Sequence, residues 1–181
     1  MKYKKTVRFI DDHMNDLLKD LQTLIKQPSI SAKNEGIEEC AVLVAKMLKK
    51  AGVSSEILRL NKTAAPLVFG EIKSKSNPSK TLLFYNHYDV QPIEPLEEWN
   101  DPPFSGKIIG NKIFGRGASD DKGELITRIK AVESYVKEYK DVPCNIKFCI
   151  EGEEENGSEN IAGYLKKFKK KFSCDGVIWE F

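Results

Sequence analysis

The run TLLFYNHYDV, residues 81–90, constrains the fold more than any other stretch of this chain. Leu82, Leu83, Phe84 and Tyr85 are consecutive, where a strand with one wet face would alternate apolar and polar residues. Such a segment is buried on both sides, so it predicts an interior strand covered by helices on each face. His87 and Asp89 stand two apart as the run ends, and a period of two puts both side chains on one side. In open α/β sheets, sites form beyond the carboxyl ends of the strands.

The flanking segments supply the helices. Ile10, Met14, Leu17, Leu18, Leu21, Leu24 and Ile25 keep helical spacing and predict one long amphipathic helix stopped at Pro28-Ser29. A second helix is expected from Ile37 to Lys50, ending at Gly52, followed by the strands VSSEILRL and PLVFGEIK. The stretch from Gln91 to Gly106 carries Pro92, Pro95, Pro102, Pro103 and Trp99 and reads as a long irregular loop. KIIGNKIFG then predicts a hairpin around Gly110-Asn111. Leu125, Ile129, Val132, Val136 and Tyr139 mark a third helix before the strand NIKFCI. Ile161, Tyr164, Leu165, Phe168 and Phe172 mark a fourth before a last strand in DGVIWEF. Helices alternating with buried strands imply a layered α/β fold with a largely parallel central sheet.

At 181 residues and 40% hydrophobic content the chain is long enough to bury one ordinary core. Its 29 basic and 27 acidic residues leave a formal charge of +2, which argues against nucleic acid or an anionic membrane as partner. No stretch approaches the ~18 apolar residues of a membrane span, so a soluble cytoplasmic protein is the simplest expectation. Cys40, Cys144, Cys149 and Cys174 have no C-x-x-C spacing and read as reduced core thiols, with zinc ligation or disulfides as the lesser alternatives. His13 flanks an apolar stripe and reads as packed or solvated, and KKFKKKF at 166–172 as the solvated face of an amphipathic helix.

Three strand-end loops carry candidate ligands. His87 and Asp89 alone fit a satisfied core histidine as readily as a metal ligand. Asp120 lies in GRGASDDKG, which matches neither the dinucleotide nor the Walker phosphate loop and alone reads as a turn with an aspartate cap. EGEEENGS places Glu151, Glu153, Glu154 and Glu155 around one glycine, a run that alone reads as a solvated acidic loop. Taken together, the three loops tilt toward a cation. One imidazole with several carboxylates suits zinc, manganese or cobalt better than calcium.

NHYDVQP, a Trp, PPFSG, GRGASDDKG and FCIEGEEENGS, in that order, resemble the M20 family of zinc metallopeptidases, especially its carnosine-dipeptidase-like and general dipeptidase branch. The resemblance implies two zinc ions, Zn2+ being exchangeable for Mn2+ or Co2+. It implies His87 on the first ion, Asp120 between the two, Glu155 on the second, and Glu180 as a further acidic ligand to the first. It implies Glu154 as general base, Asp89 as the carboxylate that orients His87, and a cis Asp120–Asp121 peptide. The implied reaction is hydrolysis of the amide bond of a dipeptide or related small amide, with no protein nucleophile. N-acyl-amino-acid deacylation or desuccinylation is the alternative within the family.

The family also needs a second histidine ligand far downstream and a lid domain that mediates homodimerisation, and neither is in this sequence. Residues 1–181 are therefore expected to be the amino-terminal portion of a catalytic domain, inactive alone. A non-enzymatic module that folds and at most binds metal weakly is the alternative from another class.

Overall fold

The computed structural model describes residues 3–179. Six helices and seven strands alternate through the described chain: α1 Lys4–Asp12, α2 Met14–Lys26, α3 Ile37–Lys50, β1 Ser54–Leu58, β2 Leu67–Ile72, β3 Thr81–His87, β4 Lys107–Ile109, β5 Lys112–Phe114, α4 Lys122–Tyr139, β6 Asn145–Glu151, α5 Ile161–Lys167, α6 Lys169–Phe172 and β7 Gly176–Ile178. The layered α/β class expected from the sequence is what the chain adopts. The main sheet has the order β1-β2-β6-β3-β7, and β4 and β5 form a separate hairpin that turns at Gly110, φ 61°.

The unbroken apolar run of β3 is explained by its place between β6 and β7, both parallel to it. β2 joins β6 antiparallel and β1 joins β2 antiparallel, so parallel pairing is confined to the half of the sheet that ends in His87 and Glu151. Alternation along β6 sends Ile146, Phe148 and Ile150 into a core shared with α2, α3 and α4. Cys149 points the other way, with Leu83, Tyr85, Phe69, Tyr164 and Phe172, into a smaller core under α5 and α6. Cys144 packs against the larger core and Cys149 lies in the smaller, so the two thiols occupy opposite faces, and all four cysteines are free.

Two helices expected to be continuous are each divided. At His13 (φ −115°, ψ 19°) the ring stacks on Phe9 at 4.1 Å and its Nδ1–H donates to the Phe9 carbonyl at 2.8 Å, and a new helix starts at Met14. At Phe168 (φ −112°, ψ 28°) α5 gives way to the single turn of α6, which carries Phe172 into the smaller core. Two lysines of this segment tie to β1 and the loop after it: Lys167 donates to the carbonyls of Arg59 and Leu60 at 3.0 Å, and Lys171 pairs with Glu56 of β1. No helix among the described residues is long and apolar enough to cross a membrane.

Candidate metal centre

β3 delivers His87 to the carboxyl edge of the sheet, where its side chain is 1% exposed. The ring is held from behind. Its Nδ1 lies 3.1 Å from the Asp89 carbonyl oxygen and 3.3 Å from Asp89 Oδ1, so a proton carried on Nδ1 has two acceptors. In the neutral imidazole Nε2 is then a lone pair, and it faces Asp120 Oδ1 at 2.9 Å and Glu154 Oε2 at 3.8 Å. An acceptor pointed at two carboxylates requires a shared proton or a cation.

The turn that presents Asp120 is fixed by its neighbour. The Asp120–Asp121 peptide is cis, and Asp121, only 1% exposed, turns back beneath the strand end. Its Oδ2 accepts from the His87 main-chain N–H at 2.9 Å and from Asn86 Nδ2 at 2.7 Å. Burial pushes this carboxyl up to about 6, against the lowering effect of those two bonds. Lys122 follows, fully buried, with Nζ donating to the carbonyls of Leu24 (3.1 Å) and Gln27 (2.7 Å) at the end of α2, where a positive charge complements the helix dipole.

The four glutamates of EGEEENGS divide into two pairs. Glu151 is buried and accepts from the Tyr85 hydroxyl and, at 3.0 Å, from Ser158. Glu153 accepts from the Ala65 N–H at 2.6 Å and from Asn160 Nδ2 at 2.8 Å. These two peg the loop down. Glu154 and Glu155 turn toward His87 and Gln91 instead, and their main-chain N–H groups donate to Asp89 Oδ1 (3.2 Å) and Oδ2 (3.1 Å). Asp89 thereby sets the histidine ring and the glutamate loop with one carboxylate. Glu155 accepts from the Gln91 amide at 2.7 Å and from its N–H at 3.2 Å. Its carboxyl is raised by burial first, and also by the charges of Asp120 and Asp89, a crowding that a cation relieves.

His87, Asp89, Asp120, Glu154 and Glu155 therefore meet at one strand edge, while Glu180 lies outside the described residues. As they stand, no three His, Cys, Asp or Glu side chains among the described residues are grouped to hold a metal ion, and His87 and Asp120 touch directly. The chemistry of the donor set nonetheless fits a borderline divalent ion: an imidazole nitrogen against the carboxylates of Asp120 and Glu154, with the Glu155 carboxyl, bonded to Gln91, near enough to feel the charges of Asp120 and His87. Pairwise reading of the motifs missed Asn86, Gln91, Asp121 and Arg128. Arg128 carried a signal, being a charged residue within the apolar stripe of Leu125, Ile129 and Val132, and it is 9% exposed.

The sequence profile of peptidase family M20/M25/M40 matches residues 83–180. The Cys-Gly metallodipeptidase dug1 of Schizosaccharomyces pombe is 33% identical over 186 residues, covering 95% of this chain and 38% of that protein. The M20 family metallo-carboxypeptidase Sso-CP2 from Sulfolobus solfataricus superposes with a TM-score of 0.84 at 41% identity, over 91% of this chain and 37% of that one. Human carnosine dipeptidase 1 superposes with a TM-score of 0.89 at 26% identity, over 99% of this chain and 41% of that one. The chain thus spans about two fifths of the length of the relatives it matches.

Proposed function

The chain belongs to peptidase family M20/M25/M40, and from that premise we propose that it carries the first half of a dinuclear zinc centre that hydrolyses the amide bond of dipeptides. His87, Asp120 and Glu155 would hold the ions, with Asp120 between them and Glu180 joining the first. Zinc, or manganese or cobalt in its place, supplies Lewis acidity toward the peptide carbonyl oxygen and lowers the pKa of water toward neutrality. The observation that carries the reading is the placing of His87 Nε2, with Asp89 behind the ring, against the carboxylates of Asp120 at 2.9 Å and Glu154 at 3.8 Å.

The division of labour follows from position. Glu154, with a side chain 35% exposed, approaches His87 Nε2 at 3.8 Å with no closer side-chain bond among the described residues, and it acts as general base. It takes a proton from the attacking water and returns one to the departing amine nitrogen, so the carboxylate ends as it began. Asp89 keeps the His87 proton on Nδ1 and holds the N–H groups of Glu154 and Glu155, fixing base and ligand in one frame. The chain spans about two fifths of the length of its relatives, and the reading assigns the remaining ligands, the groups that grip a substrate's termini and a dimer-forming lid to sequence outside residues 1–181, so that turnover needs more than this chain.

A second reading has its own support, because the metallo-carboxypeptidase relative, at 41% identity, is more nearly identical to this chain than the two dipeptidases named above, at 33% and 26%. Release of a carboxy-terminal residue from a longer peptide would follow from the same chemistry.

Calorimetric zinc titration of the chain tests the ligands. Affinity is expected to fall at least about tenfold in His87→Ala, Asp120→Asn and Glu155→Gln but to change little in Glu154→Gln. A chimaera in which this chain replaces the matching segment of the Schizosaccharomyces pombe dipeptidase tests the chemistry. Glu154→Gln is expected to lower its turnover of Cys-Gly by roughly 100-fold or more. Preference for an N-blocked tripeptide over dipeptides would favour the second reading, and vigorous hydrolysis by the chain alone would contradict the division proposed here.

A further inference from the structure

Arg128 projects from the second turn of α4 into the space beneath the strand ends, and its planar fork reaches four acceptors. Nη1 donates to the Tyr85 carbonyl at 2.5 Å and to Asn86 Oδ1 at 3.0 Å, both on β3. Nη2 donates to Glu124 Oε2 at 2.8 Å and to the carbonyl of Trp179 at 2.6 Å, immediately after β7. Asn86 passes the connection on. A guanidinium only donates and a carboxylate only accepts, so the amide has one possible orientation, Oδ1 toward Arg128 and Nδ2 toward Asp121. The Asp121 oxygen that receives Asn86 also receives the His87 N–H. A period of two explains why this works: Asn86 falls on the α4 side of β3 with Phe84, and His87 on the other.

We propose that Arg128 is a positioning residue for the metal centre: through Asn86 and Asp121 it fixes the main chain of His87 and the turn carrying Asp120, and through Trp179 it ties in the end of β7. The inference rests on the reading of His87 and Asp120 as metal ligands, and adds a device that aims them from the opposite face of the sheet. Lysine cannot substitute, since a single ammonium lacks the fork that spans acceptors on two strands and a helix.

Amide hydrogen exchange followed by NMR on the metal-free chain tests this residue by residue. In Arg128→Lys and Arg128→Met, exchange of the His87 amide is expected to accelerate by about tenfold or more, the scale of losing bonds anchored on a charge. The amides of Phe148 and Ile150 in β6 are expected to keep rates within about threefold of the parent. Asn86→Ser leaves the Arg128 bonds to Tyr85, Glu124 and Trp179 in place, cuts only the relay, and is expected to release His87 in the same selective way. It decides alone if the Arg128 variants do not fold. An unchanged His87 amide, or one that accelerates no more than Phe148 and Ile150, overturns the proposal. The two readings fail separately: a failed zinc titration takes the metal from the centre but leaves the relay from Arg128 to the His87 main chain, and an unchanged His87 amide removes the relay but leaves the metal reading.

Discussion

At the scale of single residues, several acidic side chains in this protein work as acceptors for main-chain N–H groups. Asp89 takes those of Glu154 and Glu155, Asp121 that of His87, and Glu153 that of Ala65. Asp141 does the same away from the centre, accepting from Lys75 N (2.8 Å) and Ser76 N (3.0 Å) and so tying the end of α4 to the chain after β2. These bonds hold its carboxyl down at about 2. The folded state therefore binds the proton less tightly than the unfolded chain, and the stabilisation is present above the ordinary value of 3.8 and lost as pH falls through about 2. Asp141→Asn should unfold at a lower temperature than the parent at pH 7, and the gap should close between pH 4 and pH 2. Melting curves that stay a constant interval apart across that range would refute the assignment. Roles of this kind are hard to see in a sequence, because Asp120 and Asp121 look alike there and only the turn decides which faces His87.

Among the elements, β3 and β6 matter most, because their parallel pairing brings two loops from distant parts of the chain side by side. The approach is close. Gly152 directly follows β6, and a Cβ there would lie 2.2 Å from the hydroxyl oxygen of Tyr88, which is fully buried and donates to the Pro66 carbonyl. Gly152→Ala should therefore destabilise the protein by about 1–3 kcal/mol through overpacking. Denaturant unfolding would measure it, and a loss under about 0.5 kcal/mol, the scale of an ordinary surface change, would show that Tyr88 can move aside. Most elements were legible: the apolar run of β3, the spacing of α3 and α4, and the Gly110 hairpin all follow from local pattern. The breaks at His13 and Phe168 were not, because the apolar period continues across each while the backbone leaves helical geometry at one residue. The antiparallel attachment of β1 and β2 was equally hidden, since pattern reports burial and not strand direction.

For the whole molecule, the strand-edge carboxylates are a cost that an ion would relieve. If zinc binds the folded chain and not the unfolded one, free metal at a hundredfold excess over its Kd stabilises by about 2.7 kcal/mol. For a domain of this size that is roughly 5–10 °C in Tm. Thermal scans should show that rise on adding zinc, its reversal by a chelator, and its absence in His87→Ala. Equal shifts in the parent and in His87→Ala would locate the binding elsewhere. Family membership was visible in the motifs because the candidate ligands at strand ends come in short local strings. Arg128 was less visible, since its acceptors lie on β3, on its own helix and beyond β7, and only folding assembles them.

The single carboxylate of Asp89 has a consequence for anyone moving this centre into another scaffold. An asparagine there would offer one acceptor oxygen and one donor NH2, leaving an N–H of Glu154 or Glu155 facing another donor. Histidine strand and acidic loop are thus one transplantable cassette, and grafting either half alone would bring the candidate ligand without its aim.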